Sequence, residues 1–415
     1  MSRIFDVIII GGGPAGMMAA GHAVRSGAKV LLVDKNDRCG RKLALTGKGR
    51  CNVTNDCDIQ TFLKNLPQNG KFLYSALRQF SPQDTMAFFE ELGVPLKVER
   101  GRRVFPASDK AMDIVGAMRR FALTEQTTFC SGRAEALLFE NGRCAGAVID
   151  GQKFAAQAVI IATGGLSYPI TGSNGDGYKL AQSAGHTIVP PRASLVALTS
   201  TDAFCALCAG LTLKNTAVTL FENGKQIFTD FGELLFTHTG VSGPTILSAS
   251  AHMRQKEADY ALKLDLKPAL SEKTLDERLL RELAEGRLQT LKTIAGRLLP
   301  QSLIHPVLEQ GGLPPEDKGA EVTKAQRRAF LTVLKGFWIR NLRLGPIEEA
   351  VVTAGGVSLN EVNPRNMESK LMPGLYFAGE VLDLDGYTGG FNLQIAFSTG
   401  YVAGISASST IAATL

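Results

Sequence analysis

A chain of 415 residues exceeds what one hydrophobic core usually organises, so two or three compact units are expected. Its composition, 45% hydrophobic and 20% charged with no low-complexity tract, excludes a disordered or fibrous protein. The net charge of +6, from 45 Lys and Arg against 39 Asp and Glu, is too mild to indicate a nucleic-acid binder on its own.

The first strand-like run begins at Ile4 and ends at Ile10, which leaves no room for a leader; no apolar run is long enough to span a bilayer. Seven cysteines, an odd number scattered through a long chain, do not form a secreted disulfide framework. A cytoplasmic location with reduced thiols and no membrane partner is the expectation.

The β-branched run Phe5 to Ile10 leads directly into Gly11-Gly12-Gly13-Pro14-Ala15-Gly16 and then into an Ala- and Met-rich helical stretch to about Arg25. In this strand, glycine turn and helix, Gly11 permits the turn, Gly13 lets a pyrophosphate approach the backbone, and Gly16 lets helix pack on strand. The helix start, with Pro14 and Ala15, offers free N–H groups and a positive dipole end to phosphates. A second strand, Lys29 to Val33, ends in Asp34, eighteen residues after Gly16 and placed to accept from a ribose hydroxyl.

Behind it come Lys35, then Cys39-Gly40-Arg41-Lys42, then Thr46 to Asn55, which contains Gly49, Arg50, Cys51 and Asn52. Such a cationic, glycine-rich loop suits a pyrophosphate and a flavin edge. Ala158 to Ala162 makes another buried strand that exits through Thr163-Gly164-Gly165 close to the same nucleotide. There is no second G-x-G-x-x-G, so a nicotinamide, NADH or NADPH, would dock only transiently as reductant.

Four segments resemble a bacterial flavoprotein family labelled NAD(FAD)-utilising dehydrogenases. They are Gly40 to Asn55; Ser167-Tyr168-Pro169 with Thr171 to Tyr178; Phe236 to Pro244; and Val352 to Gly400. The last is the most specific, with Thr353-Ala354-Gly355-Gly356-Val357, Gly379-Glu380 and Asp383 to Gln394. The resemblance implies an α/β, two-dinucleotide-binding-domain, FAD/NAD(P)-binding Rossmann-like fold related to glutathione reductase and succinate dehydrogenase. It implies FAD as cofactor, with Gly379, Glu380, Asp385, Gly390, Asn392 and Leu393 in its site. Members of the family are linked to uracil reduction in ribosomal RNA, to double-bond reduction in bile acids and to aminoacetone oxidation.

The nucleotide fold is expected to be split, residues 1–190 supplying its first part and 345–415 its C-terminal part. Between them, 191–268 reads as an inserted antiparallel β-barrel-like domain, with strands at Leu211 to Leu220 and Gln226 to Phe228 about the turn at Asn223-Gly224. Residues 269–344 read as an inserted helical domain, with helices at Ser271 to Leu283, Arg287 to Leu298 and Lys324 to Leu334, and breaks at Pro300, Pro306 and Pro314-Pro315.

Between Val322 and Ile347 there is no acid, while Lys324, Arg327, Arg328, Lys335, Arg340 and Arg343 are basic and Phe330, Phe337 and Trp338 lie among them. This segment, Lys324 to Arg343, is the expected contact for a ribosomal RNA substrate, with a small molecule as the other substrate class. Cys51, beside Arg50, is a candidate proton donor whose pKa nearby cations would lower. His238, where the insertion turns back, is the second. Cys205-x-x-Cys208 lacks a second Cys or His pair, so no metal is expected. The expected activity is reduction of a conjugated carbon–carbon double bond, with an amine oxidase and a non-enzymatic RNA-binding flavoprotein as rivals.

Overall fold

A computed structural model describes residues 5–412; Ile4 of the first expected strand and 413–415 of the last expected segment lie outside it. Tertiary contacts divide the chain into two units, one of residues 1–194 and 347–415, the other Leu195–Pro346. No helix of the described residues is long and apolar enough to cross a membrane.

The first unit is built on strands β1 (Val7–Ile10), β2 (Val30–Asp34), β3 (Thr127–Ser131), β4 (Ala158–Ile161) and β5 (Leu375–Phe377), with helix α1 (Pro14–Arg25) between the first two. They form one parallel sheet in the order β5-β4-β1-β2-β3. Strands β1, β4 and β5 are buried along their whole length, and so read as continuous apolar runs rather than alternating ones. The 22-residue helix α2 (Phe391–Ala412) returns from the far end of the sequence onto α1. A Cβ on Gly400 would lie 2.4 Å from the Ala15 carbonyl oxygen, and one on Gly404 2.4 Å from that of Ala19, so the two helices touch backbone to backbone.

Helix α1 also carries a buried histidine. His22 is 8% exposed, ringed by Phe80, Phe88, Phe121 and Tyr401, and its Nε2 has no hydrogen-bond partner. Burial, with a smaller push from Arg25, lowers its pKa from 6.5 to about 4.

The second unit holds a seven-stranded antiparallel sheet, ordered Phe337–Ile339, Tyr260–Asp265, Thr212–Glu222, Lys225–Thr237, Gly240–Ser242, Leu198–Thr199, Arg343–Leu344. The expected division into a barrel (191–268) and a separate helical domain (269–344) does not describe the packing. The helices lie between strands of one sheet and share a single hydrophobic core with it, Leu262, Leu264 and Phe236 packing in the same cluster as Leu279, Leu303 and Phe330.

Helices Glu272–Glu285 and Lys324–Lys335 fall near their expected positions, but the one expected over Arg287 to Leu298 shortens to Leu291–Ala295. Thr290 caps it late by accepting from Thr293 N. Pro306, expected as a break, lies inside helix Gln301–Gln310. A proline there leaves the Ser302 carbonyl without its helical donor, and the Cys208 thiol occupies that acceptor at 3.3 Å.

Two predictions follow from these buried polar groups. His22 binds its proton less readily folded than unfolded, so stability should fall as pH drops from 6.5 towards 4. The loss reaches about 3 kcal/mol once both forms are protonated. Urea midpoints at pH 7.5 and 4.5 should therefore converge in His22→Leu relative to wild type; equal acid sensitivity would place the effect elsewhere. In the second unit, Cys208→Ala should cost about 1 kcal/mol by orphaning the Ser302 carbonyl, and Cys208→Ser much less. Adding Pro306→Ala should restore the loss, because it returns the backbone donor; a denaturant series on the four proteins checks this.

Candidate dinucleotide and flavin site

The glycine turn between β1 and α1 is fixed by its neighbours. Gly11 lies at φ +111°, and a Cβ there would stand 2.4 Å from the Ala162 carbonyl oxygen at the exit of β4. On Gly16 it would stand 1.8 Å from the Gly11 oxygen, so both positions need glycine for backbone packing. Gly13 differs: a Cβ there would meet no protein atom within 4 Å. It caps α1 without a side chain, Pro14 follows, and the first turn carries no acid. A helix start left open on one side, with its N–H groups unpaid by any side-chain anion, fits a pyrophosphate.

Asp34, at the end of β2, comes to the same turn. Its Oδ2 accepts from Gly12 N at 2.6 Å, and its Oδ1 from the backbone and side-chain nitrogens of Asn36, both at 2.8 Å. Arg41 donates to Asn36 Oδ1 at 2.8 Å and is otherwise exposed. Lys35 pairs with Asp176 at 3.4 Å, an acid that also holds Arg133 at 2.8 Å.

The second half of the site gathers around Glu380. Lys42 Nζ donates to Glu380 Oε2 at 2.8 Å and to Ser167 Oγ at 2.6 Å, while Ser167 Oγ and Thr353 N donate to Glu380 Oε1 at 3.1 and 2.8 Å. Thr353 Oγ1 in turn accepts from Leu166 N and Ser167 N. The hub thus ties the cationic loop, the segment after Gly164 and the C-terminal block into one wall. Gly164 and Gly379 both lie at positive φ in it, and Thr163 Oγ1 is buried without a partner. Ser167 and Thr353 had no assigned role in the sequence; both occur in motifs that mark the family, which was the signal available.

The loop Thr46 to Asn55 is stitched to the start of α2. The Asn52 amide, oriented as its neighbours require, accepts from Gly390 N at 3.0 Å and donates to the carbonyls of Thr54 and Val104. Gly390 lies at φ +98° because a Cβ would fall 2.3 Å from the Thr54 carbonyl. Thr54 Oγ1 meets Gln394 Oε1 at 2.6 Å, and Asn55 Nδ2 bridges the carbonyls of Gly101 and Gly389, both at 3.1 Å. Gly49 sits in the same loop at φ +85° with open space around it.

Several residues stand differently from expectation. Arg50 is taken up by protein partners: its guanidinium lies 4.2 Å over the Phe105 ring and pairs with Glu99 and Asp109. Cys51 has no accessible surface, and burial pushes its thiol up to about 12, against a smaller downward pull from its hydrogen bond with Thr46. A thiol sealed in this way has no surface on which to touch a substrate. Asp385 is fully buried and accepts from Ser194 Oγ at 2.7 Å, so it braces the fold behind the site. Asn392 closes its own loop, bonding Gly386 N at 2.9 Å and Gly386 O at 2.7 Å, and Leu393 packs against the core. His238 is exposed on the two-residue turn between strands Lys225–Thr237 and Gly240–Ser242 of the second unit.

In the basic segment, Phe330 and Phe337 are core, Arg327 pairs with Asp276 at 2.8 Å and Lys335 with Asp265. Acids from other elements thus neutralise part of the stripe, and two of its three aromatics cannot stack on bases. Trp338 packs against Phe221, with Arg340 5.2 Å from its ring.

Residues 5–406 match the family described as the HI0933-like protein Rossmann domain. The chain belongs to this family. Two relatives are similar over almost their whole length. A 3-dehydro-bile acid delta(4,6)-reductase of Clostridium scindens is 32% identical over 95% of this chain and 97% of its own. A ribosomal RNA dihydrouridine synthase of Haemophilus influenzae is 31% identical over 98% of this chain and 100% of its own. In fold, the chain resembles a solved quinol-fumarate reductase with menaquinol molecules, at 17% identity and a TM-score of 0.53, covering 99% of this chain and 72% of that one. With the dinucleotide cradle described above, this HI0933-like chain is an FAD-dependent oxidoreductase.

The cradle makes opposite predictions for two glycines. Gly13→Val should leave the cofactor-free protein as stable as wild type yet lose most of its FAD, because the side chain enters open space at the helix start. Gly16→Ala should lower both, because its methyl meets the Gly11 carbonyl. Flavin content per chain and unfolding of the stripped protein check the contrast.

Proposed function

We propose that this oxidoreductase saturates a carbon–carbon double bond conjugated to a carbonyl, with a uracil ring in ribosomal RNA as the leading acceptor. What carries the reading is one shared chemical step. The two relatives described above are named for very different molecules, a bile acid and an RNA base, yet each name describes reduction of a double bond next to a carbonyl. Bound FAD supplies hydride from N5 of its reduced ring, and NADH or NADPH is the proposed transient source of electrons.

The chain's own residues would hold that ring in place. Glu380, fixed by Lys42, Ser167 and Thr353, and the loop pair Asn52 and Gly390 form a wall set by hydrogen bonds rather than by mobile side chains. Such rigidity keeps a hydride donor aligned with its acceptor. Saturation also needs a proton on the carbon next to the carbonyl. Of the two donors read from the sequence, Cys51 is sealed from any substrate, and His238 keeps an exposed imidazole in the second unit.

A small-molecule enone is the second reading, supported by the near full-length similarity to the bile-acid reductase. The FAD-loaded protein, given NADPH or NADH, should convert uridine in an unmodified ribosomal RNA transcript to dihydrouridine, seen as a two-dalton gain in nuclease fragments. Conversion of a 3-keto-4-ene steroid without any change in RNA would favour the second reading, and inertness towards both would overturn the proposal.

A further inference from the structure

The sequence directs attention to the basic segment Lys324 to Arg343, but the first unit carries a different cationic surface fixed to the flavin loop. Strands Leu96–Glu99 and Arg103–Pro106 form a hairpin whose tip is Arg100-Gly101-Arg102. Arg100, Arg102 and Arg103 are all exposed. Glu99, the acid at the base of the tip, is taken up by Arg50, with Lys97 at 3.9 Å and Arg103 at the edge of contact at 4.0 Å. Nearby Asp58 is spent capping Thr61 N, and Asp56 receives the Gln83 amide. Among the described residues, Arg100 and Arg102 make no ion pair. Arg103 stacks 5.7 Å from the Phe105 ring and donates to the Arg100 carbonyl, which holds its guanidinium beside the tip.

The tip is held rigidly and close to the site. Asp56 N donates to the Arg102 carbonyl at 2.8 Å, and Val53 N to that of Val104 at 2.8 Å. Asn55, 5% exposed, joins the Gly101 carbonyl to the Gly389 carbonyl, so a single side chain links the arginine tip to the glycine turn that opens α2. Arg102 is also held at φ +58°, a conformation that an arginine adopts at a cost and that glycine or asparagine would adopt freely.

We propose that the Arg100–Arg103 tip is a phosphate-docking element that seats an RNA backbone beside the flavin site. Guanidinium groups bind phosphate oxygens through paired donors, and phosphate contacts position a nucleic acid without reading its sequence. A rigid tip linked to the flavin loop would set the register between backbone and acceptor base. This inference deepens the RNA reading above and rests on it for the choice of polyanion.

The test uses the full-length, FAD-loaded protein and an unmodified ribosomal RNA transcript, with heparin as a polyanion of another kind. Binding is measured across a salt series for wild type, for the triple variant Arg100→Gln, Arg102→Asn, Arg103→Gln, and for its charge-keeping counterpart with Lys at all three positions. Loss of three phosphate contacts should flatten the slope of log affinity against log salt by about 2 and weaken RNA binding at least tenfold, with the lysine variant near wild type. Flavin content confirms that each variant is folded. An unchanged slope in the neutral variant, or a loss seen instead in Lys324→Ser, Arg328→Ser, Arg340→Ser, would overturn the docking role. So would equal loss of heparin and RNA binding together with no RNA preference in wild type.

The two readings fail separately. A wild type that makes dihydrouridine, with an unaffected triple variant, sinks the docking element alone. A wild type that binds RNA through the tip but leaves uridine unchanged sinks the uracil reading alone.

Discussion

The constraint on which this molecule depends is the approach of backbone to backbone where no Cβ can stand. Gly11 meets the Ala162 carbonyl, Gly16 meets that of Gly11, and Gly400 and Gly404 meet those of Ala15 and Ala19. In each case an added Cβ would fall at 2.4 Å or less. These contacts lock α1 between the exit of β4 and the returning helix α2, so residues far apart in the chain build one cofactor wall. The intervening residues 195–346 form a separate compact unit with their own core and take no part in the lock.

That lock changes what the charges near the site do. The cationic loop would be expected to meet the phosphates directly, yet Lys35 pairs with Asp176, Lys42 with Glu380 and Arg50 with Glu99 and Asp109. Lys42 and Glu380 are each only about one-fifth exposed, so their pair fixes two loops at a modest desolvation cost. Recognition of an anion is then left mainly to the N–H groups and dipole at the start of α1, where no side chain competes. The cations hold the loops in shape, and the N–H groups at the start of α1 stay free of side-chain partners.

Local features were legible in the sequence; features set by distant partners were not. The strand, glycine turn and helix at residues 5–25 show in their spacing because turn, close approach and helix start are all local demands. The pairing of Arg50 depends on acids 49 and 59 residues away, and the high pKa of its neighbour Cys51 comes from burial that only the folded chain creates. Pro306 reads as a break because nothing near it reveals that Cys208 will take the orphaned carbonyl. Of the aromatics in the basic segment, Phe330 lies on the buried face of its helix with Leu334, whereas Phe337 and Trp338 lie in a strand, where alternation buries the first and leaves the second half-buried. The Arg100–Arg103 tip carries no local signal, because its link to the site runs through the Asn55 bridge, which no single stretch of sequence contains.

Backbone strain points the same way as these contacts. Twelve non-glycine residues among those described have positive φ, and six are Asn or Asp, which tolerate it at turns. The remaining six are Lys48, Cys51, Arg102, Tyr168, Leu195 and Met367. Four of them lie in the three segments around the site: the loop Thr46 to Asn55, the hairpin beside it, and the turn after Ser167. Such residues persist only where surrounding bonds over-determine them, as the Asp56 bond to the Arg102 carbonyl does. Relaxing the strain with glycine would be easy locally but would give up the side chain. An arginine and a tyrosine held in that conformation mark the hairpin tip and the turn after Ser167 as places where surrounding bonds, and not local preference, set the backbone.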